Sequence, residues 1–106
     1  MSQVPSAVQR MIDATNAGDS EAFVAAFAPD AVLVDWGKAF EGREEIAGWD
    51  ASDNIGRNSH FEIVESVTEG DVWIVTLAVT GGGFNGESGF RFELADDLIT
   101  RMEIQP

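Results

Sequence analysis

A chain of 106 residues carrying 19 acidic against 6 basic side chains, a formal net charge of −13, is expected to repel nucleic-acid phosphates and anionic bilayers alike. It contains no cysteine, which excludes disulfides, thiolate nucleophiles and cysteine-ligated zinc. The length suits one domain over residues 1–106, and with no basic-then-apolar leader and no apolar run of about 20 residues the chain reads as soluble and cytoplasmic.

In chain order, Val8, Met11, Ile12 and Thr15 recur at helical spacing. They predict an amphipathic helix from about Pro5, a residue tolerated in a first turn, to Ala17. Gly18 stops it, and Asp19 is placed to cap a second helix over about Ser20 to Ala28, with Phe23, Val24 and Phe27 on one stripe. Pro29 prevents that helix from continuing. A short strand, Ala31 to Trp36, leads through a glycine-punctuated loop to a third helix, about Gly42 to Ala51, which buries Ile46, with Trp49 a further candidate. Asp53 to Asn58 reads as a polar loop.

From His60 the period changes to two. His60 to Thr68, Asp71 to Thr80, Glu87 to Leu94 and Leu98 to Ile104 are β-rich, separated by turn signals at Glu69-Gly70, Gly81 to Gly86 and Asp96-Asp97. Short turns between consecutive strands predict an antiparallel meander. Helices first and sheet second indicates an α+β domain. By parity, Ser88, Phe90, Phe92 and Leu94 face inward, as do Leu98, Thr100, Met102 and Ile104, while Arg91, Arg101 and Glu103 point out. Both parities of Asp71 to Thr80 are apolar, with Val72, Ile74 and Ala78 opposite Trp73, Val75, Leu77 and Val79. An outer sheet face of that kind suggests a homodimer.

Asp35 interrupts apolar sequence between Val34 and Trp36. Such a carboxylate stands either at a strand mouth in water or in an apolar cavity, where it is suited to moving protons. His60, the only histidine, is either an exposed strand opener or a proton relay. Trp36, Trp49, Phe40 and Phe84 are either core or ligand wall, and Trp73, on a central strand, is either core or part of an outer sheet face used in dimerisation. Gly81-Gly82-Gly83 has no lysine at phosphate-loop spacing, and Asp50, Asp53 and Asn54 lack the spacing of a calcium loop. No metal, nucleotide or other cofactor is expected.

Asn16-Ala17-Gly18-Asp19, then Phe27-Ala28-Pro29-Asp30 running on to Asp35, then Gly42-Arg43-Glu44-Glu45-Ile46, in that order and spacing, resemble the nuclear transport factor two-like superfamily. Its ketosteroid isomerase and SnoaL-like polyketide cyclase branches are the nearest. The resemblance implies a cone-shaped, curved antiparallel sheet wrapped around three N-terminal helices, with a hydrophobic pocket for a small apolar molecule. It places Asp35 at the isomerases' catalytic base and His60 where a SnoaL-like relay could assist. The implied pocket wall comprises Met11, Thr15, Phe27, Trp36, Trp49, Ser88, Phe90, Phe92 and Met102. The pattern also departs from the isomerases. Their oxyanion-binding tyrosine corresponds to Met11 and their protonated aspartic acid to Ser88, and this chain has no tyrosine at all. Steroid isomerisation itself is therefore not expected. An isomerase, cyclase or hydratase using Asp35 as general base remains, with a non-catalytic binding or dimerisation module as the alternative.

Overall fold

Helix α1, Ser6–Ala17, begins after Pro5 and ends at Gly18, whose φ of 70° is left-handed and suits a residue without a Cβ. The backbone N–H groups of Gly18 and Asp19 close the last turn onto Thr15 O and Ala14 O. Its buried face, Ala7, Val8, Met11, Ile12, Ala14 and Thr15, is the expected stripe. Helix α2, Ser20–Ala25, is capped by Asp19, whose Oδ1 accepts from Ala22 N at 3.1 Å. It stops three residues before the expected Ala28, because a residue preceding proline is pushed out of helical geometry. The computed structural model describes residues 4–105; Met1–Gln3 and Pro106, the ends of the expected 1–106 domain, lie outside them.

Strand β1, Phe27–Asp35, therefore starts earlier than expected and contains Pro29. The proline is tolerated because the pairing with the last strand, Leu98–Ile104, slips between Phe27 and Val32, where no ladder N–H is required. The Phe27 carbonyl is held by Arg43, through Nε at 3.0 Å and Nη2 at 2.7 Å. A two-residue turn, Trp36 (φ 53°) and Gly37 (φ 78°), returns the chain as β2, Lys38–Glu41, a strand within the expected loop. Helix α3, Gly42–Asp53, follows, with Glu45 Oε1 reaching back to accept from Glu41 N at 2.9 Å at its start. The polar loop after it is largely a 3-10 turn, Ile55–Arg57.

The meander is β3 (His60–Glu69), β4 (Val72–Thr80), β5 (Gly86–Ala95) and β6 (Leu98–Ile104). The six strands form one sheet in the order β2-β1-β6-β5-β4-β3, antiparallel throughout except for the parallel β1–β6 pair. The helices cover its inner face, giving the mixed α+β architecture and curved sheet expected. The core joins Val8, Met11 and Ile12 of α1 and Phe23 of α2 to Leu33, Ile46, Val75, Leu77, Phe92, Ile99 and Met102. Asn16 ties α1 to β3 with two bonds, donating to Phe61 O at 2.9 Å and accepting from Phe61 N at 2.7 Å.

Parity holds along β5 and breaks once in β6. The β5–β6 register shifts at Glu93/Leu94, so Leu94 faces Ile99, and Ile99 is fully buried where Thr100 was expected. Thr100 instead donates its hydroxyl to Glu93 O at 3.0 Å.

Candidate functional site

At one end of the sheet, β1, β5 and β6 and the helix α3 with its following turn leave a cavity of about 340 Å³ unfilled. Asp35 reaches it because it is the last residue of β1, in register with Ile104 and hence on the inner face with Leu33. It is only partly buried. Its Oδ2 accepts the indole N–H of Trp49 at 3.0 Å, and no described residue donates to Oδ1. Trp49 is itself fixed from behind: Phe23 stacks on it at 6.1 Å, and Phe27 packs on Phe23 at 5.2 Å. One carboxylate oxygen is thus oriented by an aromatic stack, while the other faces the cavity without a donor among the described residues.

Phe61, Phe90, Val79 and Ile104 supply the apolar wall, with Phe61 and Phe90 edge to face at 5.5 Å. Trp36 stands at the rim on the β1–β2 turn, 72% exposed, and Phe84 stands there on the β4–β5 loop, 53% exposed. The polar lining is Asp35, Asp53, Asn54, Arg57, Ser59, Glu87, Ser88 and Gln105. The Ser88 hydroxyl donates to Gln105 O at 2.9 Å, so its proton is committed to backbone. Arg57 spends Nε on Ser52 O at 3.1 Å and forms no ion pair with a described residue.

Behind this wall lies a buried polar chain. Asn54 donates to Thr15 Oγ1 at 3.1 Å and to Asp50 Oδ1 at 2.9 Å, and Thr15 donates to Met11 O at 3.0 Å. Asp50 is 1% exposed, and among the described residues none donates to its Oδ2 with good hydrogen-bond geometry. Burial raises its pKa above the ordinary carboxylate value, against the lowering effect of the bonds from Asn54 and Ile55 N.

Of the residues expected at the site, Asp35, Trp36, Trp49, Ser88 and Phe90 meet around this cavity. Met11, Thr15, Phe27, Phe92 and Met102 do not line it, and are packed in the core at 3% exposure or less. Phe92 stands one ring behind it, stacked on Phe90 at 6.3 Å, and Phe27 two rings behind it, through Phe23 and Trp49. His60 is also elsewhere. It is exposed, pairs with Thr80, and fronts a separate groove between α1 and β3 with Gln9, Asp13 and Asn16, so it does not line the cavity that holds Asp35. Sequence reasoning assigns no site role to Arg57, Phe61 or Glu87 and leaves Phe84 open between core and ligand wall. Phe61 sits at an inward parity of β3, and Phe84 is a large aromatic in a glycine-rich loop, so those two left a signal. Among the described residues no group of three or more His, Cys, Asp or Glu side chains could hold a metal, and no helix is long and apolar enough to cross a membrane.

Comparison with known proteins agrees with this architecture. The family model described as a SnoaL-like domain matches residues 8–102. A candidate polyketide cyclase from Sinorhizobium meliloti is 31% identical, with 96% of this chain and 95% of that chain covered and a TM-score of 0.83. A Mycobacterium tuberculosis protein solved with estradiol-17β-hemisuccinate is 21% identical, covering 98% and 95% with a TM-score of 0.83. A Catenulispora acidiphila protein of ketosteroid isomerase-like fold, solved with trimethylamine, is 23% identical, covering 98% and 87% with a TM-score of 0.82. No curated protein matches the chain.

Proposed function

The chain belongs to the SnoaL-like domain family, and from that premise we propose that it binds a small, largely apolar molecule in the cavity and uses Asp35 on it as a general base. The observation that carries this reading is the Asp35 carboxylate in an aromatic-walled cavity, one oxygen anchored by Trp49 and the other unclaimed. In that role Oδ1 takes a proton from a carbon next to a ligand carbonyl and returns it to another position, the pair of transfers that isomerisation or cyclisation requires. Arg57, the one cation of the wall, is the group available to stabilise the enolate oxygen. That structural relatives were solved with a steroid ester and a small amine supports this reading.

One observation favours a non-catalytic binding module instead. The Ser88 proton is committed to backbone and the chain has no tyrosine, so Arg57 has no hydroxyl partner of the isomerase kind. The two readings separate by screening apolar ketones and polyketide-like aromatics for quenching of indole fluorescence, then following product formation with wild type and Asp35→Asn. Under the enzyme reading the variant binds the hits but turns none over. Binding without turnover by the wild type on every hit favours the module.

We further propose a homodimer through the outer sheet face, where Val67, 45% exposed, pairs with Ile74 in the β3–β4 register, next to Val72 and Thr76. Light scattering at micromolar concentration and moderate salt tests it; a monomer there contradicts it.

A further inference from the structure

We propose that the cavity selects a ligand bearing a cationic nitrogen, a protonated amine or quaternary ammonium, on an apolar body; this rests on the small-molecule reading above and narrows its ligand class. Three carboxylates line the cavity, Asp35, Asp53 and Glu87, against the single guanidinium of Arg57. When all are ionised, three minus one leaves two negative charges uncompensated. Neither Asp53 nor Glu87 is within ion-pair distance of a described base, and both are exposed at the rim, above the partly buried Asp35.

The aromatic rings point the same way. Among the described residues, Trp36 and Phe84 are the only aromatic side chains in the set of large exposed hydrophobics, and both flank this opening from different loops. Trp36 sits at φ 53°, a backbone region that a bulky residue seldom occupies, so the turn presents the indole at some conformational expense. Exposed ring faces beside unpaired carboxylates form the surroundings that attract a poorly hydrated cation. A neutral ligand would satisfy the apolar wall but leave the carboxylates with less water and no counter-charge, since among the described residues Asp53 Oδ2 accepts only the Ser52 hydroxyl at 3.0 Å and Asp35 Oδ2 only the Trp49 indole. An anion would meet Arg57 alone. The net charge of −13 adds a field that draws cations toward the opening. In this arrangement Asp53, Glu87, Trp36 and Phe84 hold the cationic end, and Asp35 is left facing the body of the ligand.

The test uses three probes of matched shape: phenyltrimethylammonium, its neutral isostere tert-butylbenzene, and para-tert-butylbenzoate. Binding is followed by quenching of the cavity indoles and by calorimetry at low and high salt. The cation should bind at least about tenfold tighter than the neutral isostere at low ionic strength, with the gap narrowing as salt screens the rim. Asp53→Asn with Glu87→Gln should remove most of that gap without weakening the neutral probe, and Trp36→Ala with Phe84→Ala should weaken the cation. Equal or tighter binding of the neutral or anionic probe overturns the cation preference and leaves the small-molecule reading intact. A cation preference that persists in the Asp53→Asn, Glu87→Gln variant overturns the assignment of these residues. If no probe of any charge perturbs the indoles, the small-molecule reading falls as well.

Discussion

At the scale of single residues, the most consequential contact is the Trp49 indole N–H on Asp35 Oδ2. A hydrogen bond to a charged group contributes about 1.5–3 kcal/mol, so Trp49→Phe, which keeps the stack on Phe23 and removes only the donor, should lower any Asp35-dependent rate by roughly tenfold or more. Measured kcat/KM that is unchanged would mean that the indole packs against Asp35 without aiming it. Asp50 makes a different prediction. Because burial raises its pKa in the folded state, the folded protein holds this proton more tightly than the unfolded chain does. Stability therefore falls as pH rises from the ordinary carboxylate value through the raised one, and is greatest below that window. Asp50→Asn keeps an acceptor for Asn54 and removes the buried charge. It should raise stability at neutral pH by on the order of 1 kcal/mol, with the gain vanishing as pH drops through the window, as read from melting temperatures of both proteins. Sequence disclosed Asp35, Trp36 and Trp49 because each is an acid or large aromatic beside a turn or on a helix face. It did not separate cavity wall from packed core. Helical or strand periodicity reports burial, so Met11, Phe27 and Phe92 look the same whether the space before them is a void or a neighbouring side chain.

Elements position these residues through backbone contacts that glycine alone permits. A Cβ on Gly56 would stand 1.5 Å from Ala51 O, so Gly56→Ala must displace the turn that carries Arg57 into the cavity. A loss of at least about 3 kcal/mol is expected, together with weakened ligand binding. A variant as stable as wild type in chemical denaturation would show that this turn is free to move. Gly81, at φ 143° with its Cβ position 2.8 Å from Asn58 O, fixes the loop bearing Phe84 in the same way. The rim rings themselves are different: Trp36→Ala and Phe84→Ala should change stability by less than about 1 kcal/mol, since most of each ring is in water. The helices and the meander were legible from period and turn residues. Strand β2 was not, because Lys38–Glu41 is short, has no buried residue, and exists by virtue of a turn at Trp36-Gly37 that resembles any glycine-containing loop. The Ile99 inversion was equally hidden, since a bulge shifts parity without changing composition.

Across the whole molecule, the order of helices followed by a meander was enough to read an α+β domain, whereas the parallel β1–β6 pairing joins segments far apart in the chain and leaves no local trace. That pairing brings Asp35 into register with Ile104 and so opens the cavity between the sheet and α3. The outer face carries the proposed dimer. Ile74→Asp, placed between Val67 and Arg91 in the ladder, should shift the light-scattering mass from dimer to monomer while leaving the melting curve cooperative. Because the net charge of −13 opposes association of like copies, dimerisation should also strengthen with moderate salt.

The claim on which the rest depends is that the Asp35 carboxylate faces a bound ligand and moves its protons. The direct measurement is deuterium uptake by a cavity-bound ketone. β-Tetralone is incubated in deuterium oxide with wild type, Asp35→Asn or no protein, exchange at the carbons beside the carbonyl is followed by NMR, and binding is monitored by indole quenching. The predicted result is exchange faster with wild type than without protein, falling to the uncatalysed rate in Asp35→Asn, which still binds the ketone. Equal exchange with wild type and Asp35→Asn, both with ketone bound, would contradict it.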